Sequence, residues 1–463
     1  MKNRFSKSTK RGILKMLTRD KTFYKLIVSI AVPIALQNLI TFAVSMADSI
    51  MVGSLGEQAL SAVTLANQLF FIFMILCFGI GSGANVLISQ YWGKEDIGAI
   101  HKIIAIVTKI SIVAALIFMV IAVVFPGQFM TVFSKDPVII EQGTQYLRVI
   151  FISYIFFAIT NIIISALRSV QTVRISLVVY GASLIVNVCL NYVLIFGNFG
   201  APRLGVQGAA IATTIARLVE FIIALFFIVF FEKKIKFKPK SLLMTDKLLV
   251  KDFWKVGGPV IANELVWVLG SSVLSFIVAL MGTETVAANS INSVVWQFVS
   301  VFIMGVGNAA AVMIGNTIGQ EDYTKAKEYG NTFIIIAIIL GIIGGIIMYG
   351  IRPYVLLLYN VSDLTKGIAM QIMTVGALIL VFQSLGFILM MGILRGGGDT
   401  KFVLIADVLF LWGIAIPLGY IGLKVFGFSV PVVYLLLRSE ELIKAVAAVI
   451  RVMKGKWIKN VTR

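Results

Sequence analysis

Apolar runs of twenty or more residues recur along the whole chain, separated by short polar breaks. Each run is long enough to cross about 30 Å of hydrocarbon as a helix. Twelve can be read, at roughly 26–53, 58–91, 101–125, 139–167, 173–197, 206–231, 254–281, 285–317, 329–351, 367–394, 402–423 and 428–450. The longest polar gap holds only about 22 residues, which leaves no room for a separate soluble domain. The pattern predicts an all-α membrane protein of twelve transmembrane helices.

The runs come in two matching sets. Residues 33–96 return at 259–322 without a change of register, every matched pair being 226 positions apart. Pro33 answers to Pro259, Gly56 to Gly282, Ala62 to Ala288, Gly79 to Gly305 and Gly81 to Gly307. Gly93-x-Glu95-Asp96 answers to Gly319-x-Glu321-Asp322. Further on, Leu167-Arg168 matches Leu394-Arg395, and Arg217 matches Arg438. Six spans lie on each side of a lysine-rich stretch at 232–253. An even number of crossings returns the chain to its starting side, so the two copies form a parallel repeat. The expected organisation is a basic segment 1–25, a first lobe 26–231, a linker 232–253, a second lobe 254–450 and a basic tail 451–463.

Composition agrees with a membrane protein: 59% of residues are hydrophobic and 13% charged, with a net charge of +19. The placement of that charge argues against nucleic acid as a partner. Nine basic residues precede residue 26, eight lysines fall between Lys233 and Lys255, and five basic residues close the chain. With the eight in the even-numbered short loops, this gives 30 basic residues on one side against 5 on the other. The bias places both termini and the linker in the cytoplasm, facing anionic lipid heads. The linker reads as a solvated, lipid-touching connector. Residues 11–19 are either an interfacial helix or disordered, and no removable signal peptide is expected.

Cys77 and Cys189 lie in apolar runs without a Cys or His neighbour, so neither disulfide nor metal site is expected. His101, the single histidine, reads as a solvated loop-edge residue. The Gly79-Ile-Gly-Ser-Gly83 and Gly341-Ile-Ile-Gly-Gly345 runs read as close helix packing, not as nucleotide loops.

Polar groups inside the spans need a reason, since a charge at a helix centre costs about 2.5–3.5 kcal/mol on insertion scales. Asp48 is the clearest case, with no Lys or Arg within a helical turn. It must pair with a distant group, bind a cation or take up a proton. Asn187 and Asn191, four apart, share one face of the fifth span and offer amide oxygens. Thr213 adds a hydroxyl from the sixth. Glu264 is a second intramembrane acid, either a site or a partner for backbone groups freed by Pro259. Arg217/Glu220 and Arg438/Glu441 read as local pairs three apart, and Asp407 as the partner of Lys401. Aromatics such as Phe70, Phe73, Tyr154, Phe157, Trp267, Trp296, Phe298 and Phe302 either face lipid or line a cleft for flat, cationic compounds.

These residues resemble a known family. Ala47-Asp48-Ser-Ile-Met-Val-Gly53-Ser-Leu-Gly56, Gly81-Ser-Gly83, Gly93-Lys-Glu-Asp96, Ala166-Leu-Arg-Ser169, Gly392-Ile-Leu-Arg-Gly396 and Gly208-Ala-Ala-Ile-Ala-Thr213 are similar to motifs of the multidrug and toxic compound extrusion (MATE) family, its NorM-like bacterial branch included. The resemblance spans about residues 26–450. It implies a V-shaped, twelve-helix antiporter that expels organic cations by alternating access, driven by an inward Na⁺ or H⁺ gradient. It also implies that Asp48, Asn187, Asn191 and Thr213 form the cation-coupling site, open to Na⁺ or a proton. Glu264 only loosely resembles the seventh-helix glutamate of the NorM-type branch, and Ser384 stands near where that branch has a tenth-helix aspartate.

The expected protein is therefore a plasma-membrane multidrug exporter with no cofactor beyond the coupling ion. It exchanges lipophilic or cationic small molecules for that ion, contacts membrane lipids and works as a monomer. The alternative is a flippase for a lipid-linked saccharide, whose cleft needs several free basic residues for a pyrophosphate. An enzyme would need a nucleophile–base set or a metal cluster within the spans, and none is readable. The repeat is unequal in its chemistry. Asp48 faces Leu274 in the second copy, Asn187 faces Ile414 and Asn191 faces Leu418, which assigns the coupling chemistry to the first copy.

Overall fold

A computed structural model describes residues 17–463. Among these residues all regular structure is helical. The long helices follow the apolar runs: α1 (Lys21–Gly53), α2 (Glu57–Gly93), α3 (Ile97–Val124), α5 (Ile175–Phe196) and α6 (Gly205–Phe231) in the first repeat, then α7 (Lys247–Ala279), α8 (Thr283–Gly319), α9 (Tyr323–Leu357), α10 (Asp363–Leu394) and α11 (Thr400–Lys424) in the second. Each of these ten is long and apolar enough to cross a bilayer. The eleventh span, α4, is broken: Pro137–Ile150 and Ser153–Ser169 meet at 53°. The last, α12, is split into Val430–Leu437 and Ser439–Met453 at Arg438, whose backbone (φ −105°, ψ 6°) leaves the helix. Arg438 and Glu441 are thus not a pair within one continuous helix. Several helices overrun the apolar runs. α7 begins at Lys247 rather than 254, because its first turns carry lysines that a hydropathy reading assigns to the linker.

Contacts group the chain into two compact units. One holds residues 36–88 and 96–254, most of the first repeat with the linker. The other holds, of the described residues, 17–35, the segment 89–95 and residues 255–463. A cut at the linker alone misses two exchanges. α1 is divided two residues beyond Pro33, and the last turn of α2 belongs with the second repeat. The first unit has its core where Phe73, Tyr154, Phe157 and Leu147 bury against Val52 and Ala210. The second has a core of Ile291, Val295, Met348, Ile372 and Met373.

The repeated Gly-x-Glu-Asp motif has a mechanical meaning inside this second unit. A Cβ on Gly93 would lie 2.0 Å from the Asn316 carbonyl oxygen, and one on Gly319 would lie 1.9 Å from that of Gln90. The two matched glycines let the ends of α2 and α8 cross backbone to backbone. Beyond each, Glu95 and Glu321 adopt the same left-handed conformation, φ 62°. Asp96 then accepts from Ala99 N (2.9 Å) and Asp322 from Lys325 N (3.0 Å), capping α3 and α9.

Two basic segments are folded rather than loose. In the linker, Ile235, Phe237 and Ser241 are buried. His101 is not a solvated edge residue: its Nε2 lies 2.8 Å from the Ile235 carbonyl, its Nδ1 3.4 Å from Ser241 Oγ, and Phe237 packs on its ring. Glu232 accepts from the backbone of Lys234 and Ile235 (3.0 and 2.6 Å), and Lys102 pairs with Asp246 (3.1 Å). That hydrogen bond from Lys102, with the Leu249 and Leu248 amides, holds the Asp246 carboxyl below its ordinary range. The alternation of Ile235 and Phe237 with lysines gives this stretch one apolar side, which a count of its charges hides.

In the tail, Trp457 is fully buried and donates to the Val452 carbonyl (2.9 Å). Lys459 N donates to the Gly397 carbonyl (2.9 Å) and Val461 N to Gln90 Oε1 (2.8 Å), while Asp399 takes both Arg451 (2.7 Å) and Lys459 (2.6 Å). The candidate interfacial helix at 11–19 falls mostly outside the described residues; Leu17, Thr18 and Arg19 are not helical.

Candidate functional site

The first unit brings four of the predicted residues together. α1 carries Asp48 five residues before its end at Gly53. The 3.6-residue period puts Asn187 and Asn191 on one face of α5, and both are fully buried. Asn191 Nδ2 donates to Asp48 Oδ1 (2.5 Å) and also approaches Asn187 Oδ1 (3.2 Å). Asn187 Nδ2 in turn donates to Thr213 Oγ1 on α6 (3.4 Å). The carboxylate thus heads a polar chain across three helices of this unit. Asn191 Oδ1 is buried yet accepts no hydrogen bond. A buried acceptor without a donor is costly in hydrocarbon, and here it sits on the residue that grips Asp48.

Three further residues belong to this neighbourhood that the sequence reading did not place in the site. Tyr146 of α4, buried, donates to Asn67 Oδ1 of α2 (3.2 Å) and lies within reach of both Asp48 and Thr213. Arg217 of α6 forms a two-pronged pair with buried Glu220 (2.9 and 3.0 Å) and lies over the rings of Phe70 and Phe157. It is also close enough to Asp48 for their charges to attract. Asn67, an amide beside Gln68 in an apolar run, was the legible signal. Arg217 was visible but read as purely local. Counting Asp48, Glu220 and Arg217, the cluster holds two acids against one base. One proton or one monovalent cation neutralises it, and the oxygens of Asp48, Asn187, Asn191 and Thr213 are hard donors suited to either.

Glu264 is not part of this cluster. It belongs to the other unit, where Arg395 Nη1 donates to Glu264 Oε1 (2.7 Å) and Arg395 Nη2 to Asn263 Oδ1 (2.8 Å). Asp407 is not the partner of Lys401. It is buried and takes Lys444 of α12 (2.7 Å) and Asn263 Nδ2 (2.5 Å), because a residue buried seven positions into α11 faces its helical neighbours instead of its own first turn. Arg438 lies over the Tyr434 ring (5.6 Å to its centre). The aromatics divide cleanly. Phe70, Phe73, Tyr154 and Phe157 pack on one another beneath Arg217. Trp296 donates to Gln383 (2.9 Å), Trp267 is exposed, and Phe298 and Phe302 line an apolar groove with Leu340, Ile343 and Ile347.

A multi-pass helical membrane protein built from two parallel repeats, with a buried carboxylate–amide cluster in one of them, has an architecture found in membrane transporters. The sequence model of the MatE family matches the chain twice, over residues 33–193 and 259–421, the two matches starting at the two aligned prolines. The chain belongs to the MatE family of membrane transporters. It is 25% identical to the multidrug resistance protein NorM of Vibrio cholerae, covering 85% of this chain and 86% of that protein. It is 24% identical to the probable multidrug resistance protein NorM of Thermotoga maritima, over 94% of this chain and 93% of that one. Among solved structures, the fold matches a multidrug resistance MATE family transporter described as outward-facing, with a TM-score of 0.84 at 18% identity, covering 93% of this chain and 96% of that one. It also matches a transporter of the MOP superfamily from Pyrococcus furiosus, with a TM-score of 0.85 at 18% identity, over 96% and 98%.

Proposed function

We propose that this chain is a multidrug efflux transporter of the plasma membrane that exchanges lipophilic or cationic compounds from the cytoplasm for Na⁺ or H⁺. The observation that carries this reading is the Asp48–Asn191–Asn187–Thr213 chain, built once although the scaffold is built twice. The coupling ion loads at Asp48 and is held by the amide and hydroxyl oxygens. It favours the state that releases substrate only because it binds the two states with different affinity. The NorM relatives, which carry the multidrug description, support the substrate class. The charge bias supports cytoplasmic termini. The protein works as a monomer in contact with anionic lipid and needs no cofactor. The flippase alternative gains nothing from the site, because Arg217 and Arg395 are each held by a glutamate and are not free for a pyrophosphate.

The test is ethidium efflux from proteoliposomes under a Na⁺ gradient and a pH gradient imposed separately. Efflux driven by one of them and lost in Asp48→Asn supports the assignment. Efflux in Asp48→Asn at the wild-type rate overturns it.

A further inference from the structure

The second repeat lacks the Asp48 cluster, yet its interior is more highly charged. Five ionisable side chains and one amide form a continuous line across four helices. Glu264 pairs with Arg395 (2.7 Å), Arg395 holds Asn263 (2.8 Å), Asn263 holds Asp407 (2.5 Å), Asp407 pairs with Lys444 (2.7 Å), and Lys444 lies 3.2 Å from Glu440. Arg395, Asp407, Lys444, Glu440 and Asn263 are all buried, and only Glu264 is partly open. Three acids stand against two bases. Adding the flanking Glu441 and Arg438, which also face Glu440, gives four acids against three bases, so the excess of one negative charge remains. A net charge enclosed in hydrocarbon is expensive and is relieved by taking up a proton or a cation.

Two independent observations locate where that charge is met. Glu440 Oε2 is buried, and its one near partner is Lys444 at 3.2 Å, a longer contact than the 2.7 Å one by which the same lysine is held to Asp407. Flanking the line, the backbone leaves α-helical bonding twice. π-helical turns run over Phe387–Leu394, ending at Arg395, and over Val408–Ala415, starting just after Asp407. Such turns are frequent at functional sites. The Lys444 ammonium already stands between the two carboxylates, 2.7 Å from Asp407 and 3.2 Å from Glu440, which favours a proton over a second cation there.

We propose that the Asp407–Lys444–Glu440 triad is a second proton-binding site, in the second repeat and independent of Asp48, with the proton carried by the Glu440 carboxyl. Protonation turns one carboxylate into a carboxyl group and leaves the line with two acids matched to two bases. The sequence shows no repeat-mate for Lys444 in the first copy: the position 221 earlier, at the offset of Arg217 and Arg438, is Ile223. The site is therefore not a relic of the duplication.

The test is infrared titration of the full-length purified Asp48→Asn protein in lipid nanodiscs, reading the C=O stretch of protonated carboxyl groups. This readout does not depend on transport, so it stands or falls separately from the role of Asp48. One buried carboxyl band is expected to remain in Asp48→Asn and to disappear when Glu440→Gln is added. Asp407→Asn on the same background should also abolish it, since removing an acid elsewhere in the line balances the charge without a proton. Either double variant, if folded by gel filtration, decides the matter. Absence of the band in Asp48→Asn, or its survival in a folded double variant, overturns the proposal.

Discussion

The two repeats share a scaffold and differ in what they bury. The first encloses a carboxylate held by neutral amides, with a single ion pair, Arg217–Glu220, beside it. The second encloses a line of alternating charges, in which every acid except Glu440 is held by at least one short hydrogen bond. An amide partner leaves a carboxylate's charge uncompensated, so the group stays responsive to an arriving cation. A lysine or arginine partner compensates it, so the arrangement resists exchange and binds the helices together. With the proposed function, this difference puts ion exchange in the first repeat and, outside Glu440, cohesion in the second.

That contrast can be broken from either side. The largest effect is expected at Lys444. Lys444→Met leaves Asp407 buried without its cation and should destabilise the folded protein by about 3–5 kcal/mol, read as a fall in the thermal unfolding midpoint in detergent. Adding Asp407→Leu should recover most of that loss. If Lys444→Met unfolds at the wild-type temperature, the second network is not cohesive. At Asn191 the outcome should be the reverse, with little loss of stability but a shift in function. A hydrogen bond to a charged group is worth about 1.5–3 kcal/mol, and the one from Asn191 steadies the charged form of Asp48. Asn191→Ala should therefore move the ion concentration that half-activates efflux by about tenfold or more: downward for a proton, which gains an unsatisfied carboxylate, and upward for Na⁺, which loses an amide oxygen.

The shared scaffold should be indifferent to this division. Gly319→Ala forces a methyl against the Gln90 carbonyl, and Gly93→Ala one against that of Asn316. Each should cost about 1–3 kcal/mol as overpacking, and the two losses should be similar. Unequal losses in matched melting curves would show that the crossing is not symmetric. The smallest effect belongs to the linker. Asp246 has a carboxyl held below its ordinary range by Lys102 and by backbone amides, so it stabilises the docked linker above that range and ceases to as pH falls through its folded value. Wild type and Asp246→Asn should differ slightly in thermal midpoint at neutral pH and converge in acid.

Much of this was legible before any coordinates. The apolar runs gave the helices, and the 226-residue register gave the paired glycines that turned out to be the crossing of α2 and α8. The i, i+4 spacing of Asn187 and Asn191 put both amides on one face, whereas their approach to Asp48 was implied only by the family resemblance, since spacing along one helix does not say which helix it packs against. What stayed hidden depends on contacts between distant segments. Lys444 was not singled out, because nothing local marks it as the partner of Asp407, 37 positions away. Tyr146 and Arg217 reach Asp48 only through the packing of α4 and α6. Ile235, Phe237 and Trp457 were outweighed by the lysines around them, since a count of charges says nothing about which face a segment turns inward.

The central claim is that ion exchange resides at Asp48. The most direct measurement is substrate-evoked ion movement: ethidium is added to one side of proteoliposomes, and the movement of sodium or protons across the membrane is followed. The wild-type protein should move the coupling ion opposite to ethidium, and Asp48→Asn should move none while remaining folded. Ion movement in Asp48→Asn at the wild-type rate would contradict the account.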